Sequence, residues 1–170
     1  MTPTLLPMRR FSLLLVFLSA AMDASAAEPM SGKVVAVGDG DSLTFVDDAG
    51  KKRRVRLAQI DAPEYKQPYG AASRKSLAAI CLKKPATVES LETDSYGRVI
   101  GKVSCAGVDA NVEQVRRGMA WVVARNTLPN SPLPEMEANA RLRGLGLWAG
   151  DKPEPPWEWR KRHANAAPKK

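Results

Sequence analysis

Four carboxylates and two arginines stand out as groups that could do chemistry together. Asp39 and Asp41 flank Gly40 in "VAVGDGDSLTFV", and Asp61 and Glu64 follow in "LAQIDAPEY". Asp41, Asp61 and the backbone carbonyl of Ala62 would offer hard oxygens from two separate elements to one cation. Calcium suits such a set, because it accepts six to eight oxygen ligands in irregular geometry and lets waters complete the shell. Glu64 lies beyond Pro63, which stiffens the link to Asp61, so it is placed to polarise a water beside that cation. Arg56 and Arg98 carry permanently charged guanidinium forks suited to phosphate oxygens, where negative charge grows in a pentacoordinate transition state. Each residue also has a plainer reading. Asp-Gly is the commonest hairpin turn, Glu64 alone reads as a surface glutamate, and "KKRRVR" reads as a solvated basic edge.

Composition narrows the choice. The chain has 170 residues, 44% of them hydrophobic and 26% charged, which suits one globular domain with a real core. Its net charge of +8 favours polyanionic partners, nucleic acid first and anionic envelope surfaces second. A single histidine, His163 near the C-terminus, excludes Ser-His triads and His-ligated zinc sites in the body. Catalysis here would have to run on carboxylates, arginines and a hard metal.

The first residues read differently from the rest. Arg9-Arg10 precede the apolar run "FSLLLVFLSAAM", and Ala24-Ser25-Ala26-Ala27 follow it, the three-part pattern of a secretory signal peptide. The run is about half the ~20 residues a membrane span requires. Residues 1–26 are therefore expected to be removed after Ala26 or Ala27, leaving a periplasmic or secreted protein without an integral membrane segment. In an oxidising compartment Cys81 and Cys105, the only two cysteines, are expected to pair; two buried thiols are the alternative.

The elements that must hold the carboxylates can be read from periodicity. Lys33–Val37 and Leu43–Val46 are β-rich runs joined by "GDGD", whose glycines allow a tight turn, and "KKRRVRLAQI" continues as a third strand up to Ala62-Pro63. Leu77, Ile80 and Cys81 mark a helix over 69–82. "ATVESLE" and "RVIGKVSC" return to strands. A second helix is expected from Asn111 as N-cap, with Gln114 completing a capping box and Gly118 in its interior, and a third over Leu133–Leu142. Proline and lysine in the tail predict a basic disordered end over 161–170, with Trp157 or Trp159 packing back onto the body.

The order β-β-β-α-β-β-α-α predicts an α+β fold: a five-stranded Greek-key barrel of the OB type with three α-helices, whose open face commonly binds oligonucleotides. One difficulty is explicit. Arg56 and Asp61 are five positions apart, so on a flat strand they face opposite sides and share a site only if the chain bends between them.

Taken together, "DGDSL", "VRLAQIDAPEYKQPYG", "DSYGR", "NVEQVRRGMAW" and "GLGLW" resemble the staphylococcal-nuclease-like (thermonuclease) family over about residues 31–159. The resemblance implies a nuclease domain over 27–160 that uses one calcium ion to hydrolyse DNA and RNA and leaves 3′-phosphate products. It implies Asp41, Asp61 and the Ala62 carbonyl as calcium ligands, Glu64 as general base, and Arg56 and Arg98 as phosphate-binding arginines. Asp39 matches an outer acidic position and Tyr96 an aromatic of the nucleotide pocket. Ser95, Ala124 and Asn126 depart from the lysine and tyrosines of the best-known members; Arg116, Arg117 and Arg125 are candidates for substitute phosphate contacts. A monomer acting on single-stranded nucleic acid is expected. A non-catalytic OB-fold nucleic-acid binder of the envelope is the alternative, and it predicts an inert residue somewhere in the five-residue set, where none is found.

Overall fold

A computed structural model describes residues 28–164; the expected signal peptide lies outside them, as does the end of the tail. Five strands build the barrel: β1 (Met30–Val37), β2 (Ser42–Asp47), β3 (Lys52–Leu57), and, after intervening elements, β5 (Pro85–Thr93) and β6 (Val99–Cys105). The antiparallel order is β3-β2-β1-β5-β6, and β6 returns to pair with β3 in parallel, Val55 opposite Val99 and Arg56 opposite Ile100. Closure removes the free sheet edges, and register shifts at Val34/Ala36 and Ser90/Glu92 supply the bends a small barrel needs.

Alternation explains the core. Each barrel strand sends at least one fully buried side chain inward, among them Val34, Phe45, Val55, Val88 and Val103. Leu77 and Ile80 from α1 (Gly70–Cys81) and Val115 from α2 (Ala110–Arg116) join the same cluster. Burying such side chains contributes roughly 1.5–3 kcal/mol each. Cys81, at the end of α1, and Cys105, at the end of β6, form a disulfide with a Cα–Cα distance of 5.1 Å.

Three local readings change. The third strand ends at Leu57, and a turn at Ala58-Gln59, with Gln59 at φ 67°, redirects the chain into the two-residue β4 (Ile60–Asp61). After a short β7 (Val108–Asp109), β8 (Trp121–Val122) pairs with β4, placing Asp61 opposite Trp121. The second helix is capped by Asp109, whose side chain accepts from the Val112 N–H; Asn111 is buried inside the helix instead. That helix ends at Arg116, and Gly118 lies beyond it at φ 65°, where a Cβ would in addition meet the Leu145 carbonyl oxygen at 2.1 Å.

Four α-helices are present among the described residues rather than three. α3 spans Leu133–Leu142, and α4 (Pro156–Ala164) occupies sequence whose composition reads as tail, including 161–164. Gln67 donates to the Glu154 carbonyl at 2.6 Å, tying the approach to α4 onto the body. No helix among the described residues is long and apolar enough to cross a membrane.

Candidate active site

The turn at Ala58-Gln59 resolves the Arg56–Asp61 difficulty. By redirecting the chain between them it brings Arg56 Nη2 to 2.8 Å from Asp61 Oδ1. The turn is pinned from three sides. Gln59 O accepts from Val123 N at 2.8 Å, Gln59 Oε1 accepts from Leu128 N at 3.0 Å, and Ala58 O accepts from Asn111 Nδ2 at 2.9 Å.

The second carboxylate comes from the loop between β1 and β2. Gly38 and Gly40 are absent from the left-handed positions; Gly40 is required for space, since a Cβ would meet Ser73 Oγ at 1.7 Å and Ala62 Cβ at 2.7 Å. The loop therefore presses against α1 and the Asp61-Ala62 segment. Gln114, fully buried on α2, donates to Gly40 O at 2.6 Å. Asn111 and Gln114 stand three apart on one helical face, so α2 tethers both acidic loops through two buried amides.

Asp41 and Asp61 converge on the Arg56 guanidinium. Arg56 Nη1 donates to Asp41 Oδ1 at 3.1 Å, Nη2 lies 3.1 Å from Asp41 Oδ2, and Ala62 N donates to that same Oδ2 at 2.8 Å. Burial pushes the Asp41 carboxyl well above the usual range; Arg56 opposes the shift and neighbouring Asp39 adds to it. At Asp39 burial acts upward too, but hydrogen bonds from Ser42 and Asp41 outweigh it and hold that carboxyl below its ordinary value. For Arg56, burial is outweighed by Asp41 and Asp61, so its pKa is raised.

A group unforeseen from the sequence completes the cluster. Arg160 of α4 donates from Nη2 to Asp61 Oδ2 at 2.6 Å, and from Nη1 to Asp61 Oδ1 at 3.2 Å and Glu64 Oε1 at 2.7 Å. Glu64 is anchored at its own N–H, which donates to Gln67 Oε1 at 3.1 Å. The signal for Arg160 was present in "PPWEWRKRH": a proline pair opening a helix, with Trp157 and Arg160 three apart on one face. Trp157 lies in a cavity of about 220 Å³ with Asp61, Val123, Ala124 and Arg125, and Trp159 stacks on His163 at 4.0 Å.

Arg98 and Tyr96 hydrogen-bond to Asp94 rather than to this cluster. The β3–β6 register puts Arg98 on the same outer barrel face as Arg56. Its guanidinium is held at 2.8 Å by Asp94, and it lies 5.6 Å from the centre of the Tyr96 ring, which is 73% exposed. Arg116 and Arg117 hydrogen-bond to Glu113 and Ser76, on α2 and α1.

The donor set fits a hard cation. Both aspartates lie within 3.1 Å of one guanidinium nitrogen, their oxygens are hard, and a buried carboxyl such as Asp41 gains most from a neighbouring positive charge. Two carboxylates, short of a three-residue cluster among the described residues, leave the remaining positions to the Ala62 carbonyl and water.

A closed five-stranded barrel flanked by helices, with carboxylates and guanidinium groups gathered on it, is an α+β fold of the OB type. Residues 54–150 match the family described as staphylococcal nuclease homologue, and the chain belongs to that family. It is 36% identical over 152 residues to a protein of Haemophilus influenzae named "Uncharacterized endonuclease", covering 89% of this chain and 83% of the relative. An Escherichia coli protein of the same name is 42% identical over 133 residues, covering 77% and 85%. A Shigella flexneri protein named "Micrococcal nuclease" is 34% identical over 145 residues, covering 79% and 83%. Membership supports hydrolytic endonuclease activity on nucleic acid.

Proposed function

We propose that this protein is a calcium-dependent endonuclease that hydrolyses phosphodiester bonds of DNA and RNA and leaves 3′-phosphate products. The observation that carries the reading is the convergence of Asp41 and Asp61 on one point with Glu64 beside it. Asp41, Asp61 and the Ala62 carbonyl would hold the ion, which when bound supplies positive charge against the phosphate. Glu64 takes the proton from the attacking water as the new bond to phosphorus forms. Breaking the bond to the 5′-oxygen, which takes a proton from water and departs as a hydroxyl, then leaves phosphate on the 3′ side. Arg56 and Arg98 hold non-bridging oxygens and stabilise the charge they gain.

A basic chain with this signal-like N-terminus acts after export, in the periplasm or outside the cell, as a monomer. Single-stranded or flexible nucleic acid is the favoured substrate, since bases there are free to splay. Ala124 and Asn126 offer no aromatic ring, so tight base recognition is not expected at those positions.

Cleavage of single-stranded DNA and RNA by the protein lacking residues 1–26, with calcium and then with chelator, tests the proposal. Glu64→Gln should lower kcat by about 100-fold or more, the scale of a general base. Cutting that persists in chelator removes calcium from the account; a fully active Glu64→Gln protein removes the assigned base.

A further inference from the structure

Arg160 lies on α4, beyond the residues matched to the family, yet it makes three hydrogen bonds to the acidic cluster where Arg56 makes two. It occupies both oxygens of Asp61, and Arg56 shares Oδ1. A divalent cation bound through Asp61 needs one of those same oxygens. Two positive charges at contact distance repel, so the ion and the Arg160 guanidinium compete for Asp61.

Arg160 has somewhere else to go. Its side chain is 45% exposed and faces a groove of about 950 Å³. One wall is Glu64, Tyr65 and Lys66, and the other is α4, with Trp159 and His163. Tyr65 is 66% exposed, leaving a ring face available to a base, and Lys66 adds positive charge. Arg160 Nη1 lies 2.7 Å from Glu64 Oε1. A water activated by Glu64, and the phosphate it attacks, must lie next to that carboxylate and hence within reach of this guanidinium.

We infer that Arg160 is a further phosphate-binding residue of the active site: it neutralises Asp61 and Glu64 while no cation is bound, and moves to a backbone phosphate of the strand in the α4 groove once one is. This rests on the nuclease reading above. Arg160 thereby serves as counter-charge in one state and substrate contact in the other, and α4 becomes the second wall of the strand-binding groove.

Arg160→Ala and Arg160→Lys distinguish this from a structural role. In a calcium titration without nucleic acid, followed by tryptophan fluorescence, Arg160→Ala should bind calcium about two- to fivefold more tightly, the scale of one half-exposed ion pair. With calcium saturating, the same variant should bind a short cleavage-resistant single-stranded oligonucleotide about tenfold or more weakly, and kcat/KM on a cleavable strand should fall at least as far, as for a lost charged hydrogen bond to phosphate. Arg160→Lys keeps the charge without the fork and should fall between. Unchanged calcium affinity overturns the competition, and oligonucleotide binding as tight as wild type overturns the phosphate contact. A variant faster than wild type at saturating calcium would make Arg160 a plug and overturn the inference. Calcium and oligonucleotide binding are read without turnover, so a wild-type protein that cuts nothing sinks the proposed function and leaves this inference still decided by those two titrations.

Discussion

Asn111→Leu asks how firmly the site depends on α2. Asn111 is 3% exposed; its Oδ1 accepts from Val103 N at 3.0 Å and its Nδ2 donates to Ala58 O at 2.9 Å. Leucine matches the volume, so no large cavity opens, but a buried N–H and a buried C=O lose their partners. Gly101 O, also within reach of Nδ2, keeps its bond from Ala58 N at 2.8 Å and loses less. Two orphaned groups at about 1–3 kcal/mol each, partly relieved by relaxation, give a loss of about 3 kcal/mol. For a domain of this size that lowers Tm by about 10 °C. Urea unfolding should show the midpoint fall with the slope m unchanged. Leu142→Ala, at a residue 86% exposed, serves as control and should move stability by about 0.5 kcal/mol or less. Because Ala58 opens the turn that aims Asp61 at Arg56, Asn111→Leu should also weaken calcium binding below the unfolding transition. A stability loss under about 1 kcal/mol, or unchanged calcium affinity in the folded variant, refutes the tether.

Replacing Cys81 and Cys105 together by alanine opens a loop spanning 24 residues, and chain-entropy reasoning puts the cost at about 3.5 kcal/mol. Urea midpoints of the oxidised protein and the double variant check it, and a difference under about 1 kcal/mol would contradict the loop-closure account. Glu113 supplies the pH test. Hydrogen bonds from Arg116 and Arg117 outweigh burial and hold its carboxyl at about 2 against an ordinary 4.5. A folded pKa below the unfolded one stabilises the protein above about pH 4.5 and loses that stabilisation as pH falls toward 2. Glu113→Gln should cost about 1 kcal/mol or less at pH 7, since Arg116 and Arg117 are 54% and 41% exposed, and should flatten the acid limb of stability. Parallel acid limbs in the two proteins would rule the pair out as its source.

The barrel strands and the site's residue types were legible because alternation and chemistry are local properties. Val34, Phe45, Val55, Val88 and Val103 announce an inward face by spacing alone. The turn that makes the site was not legible. "VRLAQI" carries no glycine or proline, and Gln59 takes a left-handed conformation only because Val123, Leu128 and Asn111 bond around it from distant sequence. Asn111 and Gln114 imitate a capping box, since amides three apart at a helix start read as caps whether they turn outward or inward. Tertiary demand decided: two loops with buried carbonyls needed donors, and α2 provided them. The Gly40 requirement was equally hidden, being a matter of Ser73 and Ala62 crowding it rather than of turn geometry.

The fourth helix was not legible in the sequence, for a thermodynamic reason. Nine residues are too few for a stable helix in water, and a run of proline, glutamate, lysine and arginine cannot bury enough apolar surface to order itself. Composition therefore reports correctly what this segment would do alone. What α4 gains by docking is charge complementarity: Asp61 is buried, Glu64 is half-buried, and Arg160 offers both of them donors at 2.6–2.7 Å. An ion pair that takes an already buried carboxylate as partner avoids part of the desolvation cost, because the fold has met it beforehand. The acidic pocket and α4 thus stabilise one another, and by reciprocity any cation that displaces Arg160 must loosen the helix that carries it.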